Sequence, residues 1–473
     1  MNNNPKNNRS TNRYKSLFTF AASSLLLAAI SLAYWWVWIE YYSENIVQPF
    51  WTKGHVLLFL VYFVLLLLLT NIYGSQGITA KRIWDVIYTH ALSLLLTNVI
   101  TYFQICLLTV KMVPVLPLAL MTLADVGLIA IWAIGTKTLY RTLFPPSRLI
   151  VVYDDYDPSD TVDKLSKMND QYIIGETISV SGGLQPVYRA MRDYDGVVLC
   201  DVHASDKSEI VKNCYKNDIP LYISPKLSDI IIRGAENSNV IDAPILICHN
   251  GGLRAEHRLV KRLFDLLVII PFSAVLAPFM IIAALAVKLY DGGDVFYKQE
   301  RLTEGGRVFW IYKFRSMRMD SENGQARLAG KNDSRITPIG KFLRSTHLDE
   351  TPQIFNIIKG EMSIVGPRPE RPEIAAEYQK HIPEFDFRLK AKAGLTGYAQ
   401  VFGRYNTTPY NKLKLDLFYI QNQSLLLDIE LVFKTVQVIF EKDNTEGLDE
   451  GQTTAAERMA PTVEQDEGFS YDK

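Results

Sequence analysis

Four apolar stretches, at about residues 17–39, 55–73, 85–110 and 113–138, constrain this chain more than any other feature. Each approaches the roughly 20 residues that a helix needs to cross a hydrocarbon core about 30 Å thick. The first is too long and too tryptophan-rich for a signal peptide, and it lacks a small-residue cleavage site. Trp35, Trp36, Trp38 and Tyr41 gather at its end, as an interfacial aromatic belt does. Basic residues set the orientation. Lys6, Arg9, Arg13 and Lys15 precede the first stretch, Lys81 and Arg82 separate the second from the third, and Lys137, Arg141 and Arg148 close the fourth. The other two loops carry only Lys53 and Lys111, so the N-terminus and everything after residue 140 are expected in the cytoplasm. A cytoplasmic tail (1–15) then leads into a four-helix transmembrane bundle (16–145). Asp85 and Asp125 form no charge pair and read as interfacial or packed, which argues against an ion path.

Charge and cysteine usage narrow the class further. The chain holds 50 basic and 50 acidic residues among 473, which leaves no excess for a polycationic nucleic-acid binder or a disordered acidic chain. No nucleic-acid partner is expected. Cys106, Cys200, Cys214 and Cys248 form no CxxC pair, so neither a disulfide framework nor a zinc site is expected, and a reducing compartment fits.

Pro145-Pro146 ends the bundle, and residues 146–250 read as a small α/β domain. Leu149–Tyr153 and Gly196–Cys200 are strand-like, Tyr222-Ile223 follows Pro220, and Pro244–Ile247 closes the segment. Helical stretches near 184–193 and 207–217 alternate with them, which predicts a parallel sheet of degenerate Rossmann-like type. A dinucleotide would need a glycine-rich turn after the first strand. Here that turn is Asp154-Asp155-Tyr156-Asp157, whose three carboxylates repel phosphates. No nucleotide cofactor is expected there, which disfavours a cofactor-dependent nucleotide-sugar-modifying enzyme. A regulatory or structural spacer is the expected role.

A fifth apolar stretch, from Lys261 to Val287, could also span a bilayer. Pro271 and Pro278 interrupt it, and each removes a helix hydrogen bond. Arg254, Arg258, Lys261 and Arg262 precede it, and Lys288, Lys298 and Arg301 follow it, so both flanks are basic. A re-entrant helix over 261–289 that dips into one leaflet explains prolines and charges together. A fifth span is the alternative, and it would place the C-terminal region outside the cell.

The residues with chemical potential come next: Gln299-Glu300-Arg301, Tyr312–Met317, His347-Leu348-Asp349-Glu350, Gly366-Pro367-Arg368-Pro369, Gly394-Leu395-Thr396-Gly397, Gly403-Arg404 and Leu415–Tyr419. Cations beside glycine turns suit a phosphate or pyrophosphate. Adjacent acids at Asp349 and Glu350 would project about 100° apart on a helix. One would then face a substrate while the other reaches a divalent metal. Spacing alone is a weak signal, since such a pair is usually a solvated helix face.

This ordered series, from about Lys261 to Phe440, resembles the bacterial sugar transferases, also called monotopic phosphoglycosyl transferases. The preceding helices and α/β segment resemble the large form of that family, the polyprenyl-phosphate hexose-1-phosphate transferases. The resemblance implies a mainly α-helical catalytic domain (257–440) with the re-entrant helix, followed by an acidic disordered tail (441–473). It implies transfer of a sugar-1-phosphate from a nucleotide diphosphosugar, usually a UDP-sugar, to undecaprenyl phosphate at the cytoplasmic face of a bacterial inner membrane, with UMP released. The product would start an exopolysaccharide, capsule or O-antigen. It further implies Asp349 as the covalent nucleophile and Glu350 as a metal-associated acid. Lys313, Arg315, Pro367, Arg368 and Pro369 would lie near the nucleotide and phosphates, with Arg301 and Arg404 in support. Asp416 would serve the metal site or its support, and the metal would be Mg2+, with Mn2+ as an alternative. A homodimer is compatible with this reading. Three positions depart from the family pattern. Ala277 stands where serine is common before Pro278, Thr303 replaces a glycine, and Ala393 replaces a proline. His347 is expected to be structural, because a phosphate acceptor needs no base. A non-catalytic assembly scaffold remains the competing class, and it would tolerate loss of Asp349.

Overall fold

The computed structural model describes residues 14–47, 51–74, 82–154, 158–240, 243–248, 252–318, 335–403 and 407–440. Arg404, residues 1–13 and 441–473, and Asp155–Asp157 of the acidic turn therefore lie outside the described residues. The chain divides into two compact units, residues 1–225 and 226–473.

The first unit opens with helices α1 (Lys15–Val37), α2 (Thr52–Ile72), α3 (Ile83–Thr109) and α4 (Leu116–Leu143). All four are long and apolar enough to cross a membrane. They share a core in which Tyr34 stacks on Tyr62 at 3.9 Å, and Tyr62 donates to Asn98 at 2.9 Å. Asn98 in turn donates to Thr122 at 2.8 Å, and Asp125 is buried in the same helix. Asp85 accepts the backbone N–H of Arg82 at the start of α3.

The α/β part follows as β1 (Ser147–Tyr153), α5 (Ser159–Ser166), β2 (Tyr172–Ser179), α6 (Leu184–Ala190), β3 (Gly196–Cys200), α7 (Ala204–Lys216) and β4 (Leu221–Ile223). The strands form one parallel sheet in the order β2-β1-β3-β4. Strands β1 and β3 are buried on both faces, which is why they read as continuous apolar runs. Strand β2 lies at the sheet edge with a largely exposed, mixed sequence, and it gave no strand signal.

The second unit begins with α8 (Leu227–Arg233) and an antiparallel hairpin of β5 (Glu236–Val240) and β6 (Ala243–Ile247). The strand read at Pro244–Ile247 thus pairs within this hairpin and does not join the parallel sheet. Its apolar residues are all exposed, so local sequence alone could not tell the two placements apart. Helix α9 (Ala255–Asp291) runs unbroken for 37 residues with Pro271 and Pro278 inside it, and it is the fifth helix long and apolar enough to cross a membrane.

Strands β7 (Phe296–Leu302) and β8 (Val308–Phe314) pair antiparallel. Then come α10 (Pro338–Ser345), a 3-10 turn (Leu348–Gln353), α11 (Ile354–Lys359) and β9 (Ser363–Val365). Helix α12 (Pro372–His381), a second 3-10 segment (Pro383–Lys390), β10 (Gly394–Thr396), α13 (Tyr398–Phe402), α14 (Pro409–Gln421) and α15 (Leu425–Phe440) complete the unit. Its core joins Ile230 of α8 and Ile269 of α9 to Ile354, Ile357, Met362, Val365, Leu413 and Leu417. Asn356 locks β8 to α11 by donating to the Trp310 carbonyl at 2.7 Å and accepting from the Tyr312 N–H at 3.1 Å.

Candidate active site

His347 adopts a left-handed conformation, φ 57°, and turns the chain from α10 into the 3-10 segment that carries Asp349 and Glu350. At three residues per turn the two carboxylates point about 120° apart. They enter opposite surroundings.

Glu350 accepts Lys313 Nζ at 2.6 Å and Arg368 Nη2 at 2.9 Å, both on Oε1. Burial by itself would raise its carboxyl pKa, but Arg368 and Lys313 together overcome this and hold it well below the usual range. Asp349 is only 9% exposed, yet among the described residues its carboxylate has no hydrogen bond or ion pair. Burial therefore dominates and raises its pKa, against the pull of Lys313, Arg344 and His347. One acid is fixed as an anion; its neighbour is costly to ionise and chemically available.

Lys313 arrives on β8 opposite Tyr297 of β7, and Arg368 arrives on the loop after β9. That loop rests on close backbone packing. A Cβ at Gly394 would come within 2.1 Å of the Gly366 nitrogen, and one at Gly397 within 2.1 Å of the Gly366 oxygen. Only glycine permits this approach, which accounts for the Gly394-Leu395-Thr396-Gly397 pattern.

The remaining residues singled out from the sequence divide. Arg301 donates to the Pro369 carbonyl at 3.0 Å and to Gln299 Oε1 at 2.6 Å, so its guanidinium holds the loop. Asp416, 1% exposed on α14, pairs with Arg388 at 2.7 Å. Tyr419, one turn further, donates to Asp428 at 2.7 Å and to the Val365 carbonyl at 3.1 Å. The Leu415–Tyr419 pattern thus braces the floor of the loop from one helix face. Arg315 lines a small recess with Val287, Tyr290, Met317, Thr337 and Ile339. Thr303 bridges two segments, donating to the Glu361 carbonyl and accepting from Ala393 N–H, a use for the hydroxyl that a glycine could not have.

Sequence reasoning missed Arg344, which reaches Ser316 Oγ at 2.9 Å beside Asp349, and it missed Arg388 and Glu370. None of the three sits in a pattern that a single sequence would flag.

Among the described residues, a buried carboxylate without a partner thus lies beside a cation-paired one, on glycine-packed loops in the unit that carries the long apolar helix. The bacterial sugar transferase family pattern matches residues 256–442. Over 260 residues the chain is 32% identical to the UDP-N-acetylgalactosamine-undecaprenyl-phosphate N-acetylgalactosaminephosphotransferase of Aeromonas hydrophila, covering 52% of this chain and 59% of that protein. It is 36% identical over 243 residues to a UDP-glucose:undecaprenyl-phosphate glucose-1-phosphate transferase of Xanthomonas campestris pv. campestris, half of each chain being covered. A protein of the same description from Caulobacter vibrioides is 37% identical over 189 residues, which cover 39% of this chain and 71% of that protein. The chain belongs to the bacterial sugar transferase family. It spans between half and three-fifths of the first two relatives.

Proposed function

We propose that this protein transfers a sugar-1-phosphate from a UDP-sugar to undecaprenyl phosphate, releasing UMP, through a covalent phosphosugar on Asp349. The observation that carries the reading is the split environment of the dyad: Asp349 is unpaired among the described residues while Glu350 is doubly paired. In the first half-reaction a carboxylate oxygen of Asp349 attacks the phosphorus that bears the sugar. The bond from that phosphorus to the bridging oxygen breaks, and UMP leaves with the oxygen. In the second, an oxygen of the lipid phosphate attacks the same phosphorus and displaces Asp349. The product is a polyprenyl-diphosphate sugar, suited to start a surface polysaccharide. Splitting the transfer lets the water-soluble donor leave before the lipid arrives. Lys313, Arg344 and Arg368 offset the repulsion between a carboxylate and a diphosphate.

A divalent ion fits this site in one way. Among the described residues no three His, Cys, Asp or Glu side chains gather, so a cage made of protein alone is absent there. Both cations on Glu350 use Oε1, so its carboxylate would still be able to hold Mg2+, an ion that takes one or two carboxylates and completes its shell with water and substrate phosphates. When bound, it would neutralise charge on the diphosphate. We place Asp416 in support of this site through Arg388 rather than on the metal.

Helix α9 supports a re-entrant or surface-lying placement with the catalytic unit on one side of the bilayer. Near its start, Lys261 pairs with Asp428 at 2.5 Å and Arg262 donates to the Ile357 and Ile358 carbonyls. Near its end, Ala283 and Val287 pack with Phe314 and Leu343. A bilayer cannot lie between two points that grip the same folded unit. Between them Leu267, Ile270, Phe272, Val275, Phe279 and Ile282 are exposed and apolar, a face suited to lipid.

The test is a panel of UDP-sugars incubated with the purified full-length protein, Mg2+ and undecaprenyl phosphate, with released UMP as readout. One or a few sugars should give UMP together with a lipid-linked sugar. UMP-free mixtures across the panel would overturn the reading.

A further inference from the structure

The Pro367–Glu370 segment cannot hold itself in place, since two of its four residues are prolines without an N–H. The surrounding fold supplies a donor to each of its four successive carbonyls. Gly394 N–H reaches Pro367 O at 2.9 Å, and Leu302 N–H reaches Glu370 O at 3.0 Å. Arg301 Nη1 reaches Pro369 O at 3.0 Å, and Arg388 Nη2 reaches Arg368 O at 2.9 Å. Arg388 grips the one residue of the four whose side chain lands on Glu350. It is 5% exposed and is itself fixed by Asp416 at 2.7 Å and Glu370 at 3.3 Å.

We propose that Arg388 is a positioning residue: anchored by the carboxylates of buried Asp416 and partly buried Glu370, it holds the Arg368 carbonyl so that the Arg368 guanidinium stays on Glu350. The proposal rests on the transferase reading of the dyad. Its chemistry needs a guanidinium, because one planar fork serves two carboxylates and a carbonyl at once, and an ammonium is a single compact charge. Arg368 feels both Glu350 and Asp349, so its displacement weakens the cationic field at both acids. A displacement of about 1 Å in such a group costs on the order of 100-fold in rate.

The experiment uses the full-length protein. Arg388→Met alone strands the buried Asp416 carboxylate, so the working variants are Arg388→Lys and the charge-balanced Arg388→Met with Asp416→Asn. UMP release is measured in the native background and with Arg368→Ala added, and hydrogen–deuterium exchange is followed over residues 366–371. Expected are a loss of about 100-fold and faster exchange in the loop. Once Arg368 is already alanine, changing Arg388 should cost little more, because the two act as one unit. A folded variant with native loop exchange overturns the proposal, as does a full second loss on top of Arg368→Ala. Absence of UMP from the native protein would sink the transferase reading instead, and loop exchange would still decide whether Arg388 holds the loop.

Discussion

Asp349 and Glu350 show how adjacent, chemically similar side chains acquire different surroundings. Burial raises the pKa of Asp349, so its charge is a cost to the fold that is complete at neutral pH and is relieved as pH falls through the raised value. Asp349→Asn should therefore raise the melting temperature at pH 7, with the gain fading in acid, while UMP release drops by about 1,000-fold or more. Mass spectrometry after incubation with UDP-sugar and no lipid should find a sugar-phosphate on the native peptide containing Asp349, discharged by undecaprenyl phosphate. An adduct elsewhere, or an active Asp349→Asn, refutes the assignment. Glu350 has the opposite sign. Its lowered pKa contributes stability that is present at neutral pH and lost only as acid carries the pH below the usual carboxylate range. Glu350→Gln leaves Lys313 and Arg368 without their anion and should cost about 1–3 kcal/mol of stability by denaturant titration. Some adduct should still form on Asp349.

Helix α9 is the element on which attachment to the membrane turns. At 37 residues it is about 55 Å long, enough to cross a bilayer with turns to spare. The proposed one-sided placement draws on its anchors to the folded unit. Buried Asp265 accepts Ser363 Oγ at 2.8 Å and Ile364 N–H at 3.1 Å, tying the helix to β9 ahead of the Arg368 loop. Asp265→Ala should cost about 1–3 kcal/mol by leaving those donors unpaired in the core. Single cysteines near positions 255 and 295 should both resist a membrane-impermeant reagent applied from the periplasmic side. Labelling at 295 alone would restore a fifth span.

At the scale of the whole chain, the boundary between units falls at residue 226, well before the first match to the family pattern at 256. The intervening α8 packs on α14, with Arg233 lying over the Phe418 ring at 5.3 Å and Ile230 in the catalytic core. A fragment of residues 226–440 should accordingly be more stable than one of 257–440. Burying one isoleucine is worth about 1.5–3 kcal/mol, so the difference should appear directly in the unfolding midpoint in matched detergent. Equal midpoints would show that α8 adds nothing to that core.

The four N-terminal helices were legible because a bilayer imposes a one-dimensional requirement, about 20 apolar residues in a row, that a sequence displays directly. The parallel sheet was legible for β1 and β3, whose double-sided burial leaves continuous apolar runs, and illegible for the exposed edge strand β2. The Asp349-Glu350 pair could be found through the motifs around it, but neither residue type nor spacing says which acid is paired. That distinction depends on Lys313 and Arg368, 36 residues before and 19 after Asp349 along the chain, placing their ion pairs on Glu350. Arg388 was invisible for the same reason. Its meaning lies in a carbonyl 20 positions back and two carboxylates on other elements, and local patterns record what a residue's neighbours are along the chain, while charge and hydrogen bonding act between whatever folding brings within about 3 Å.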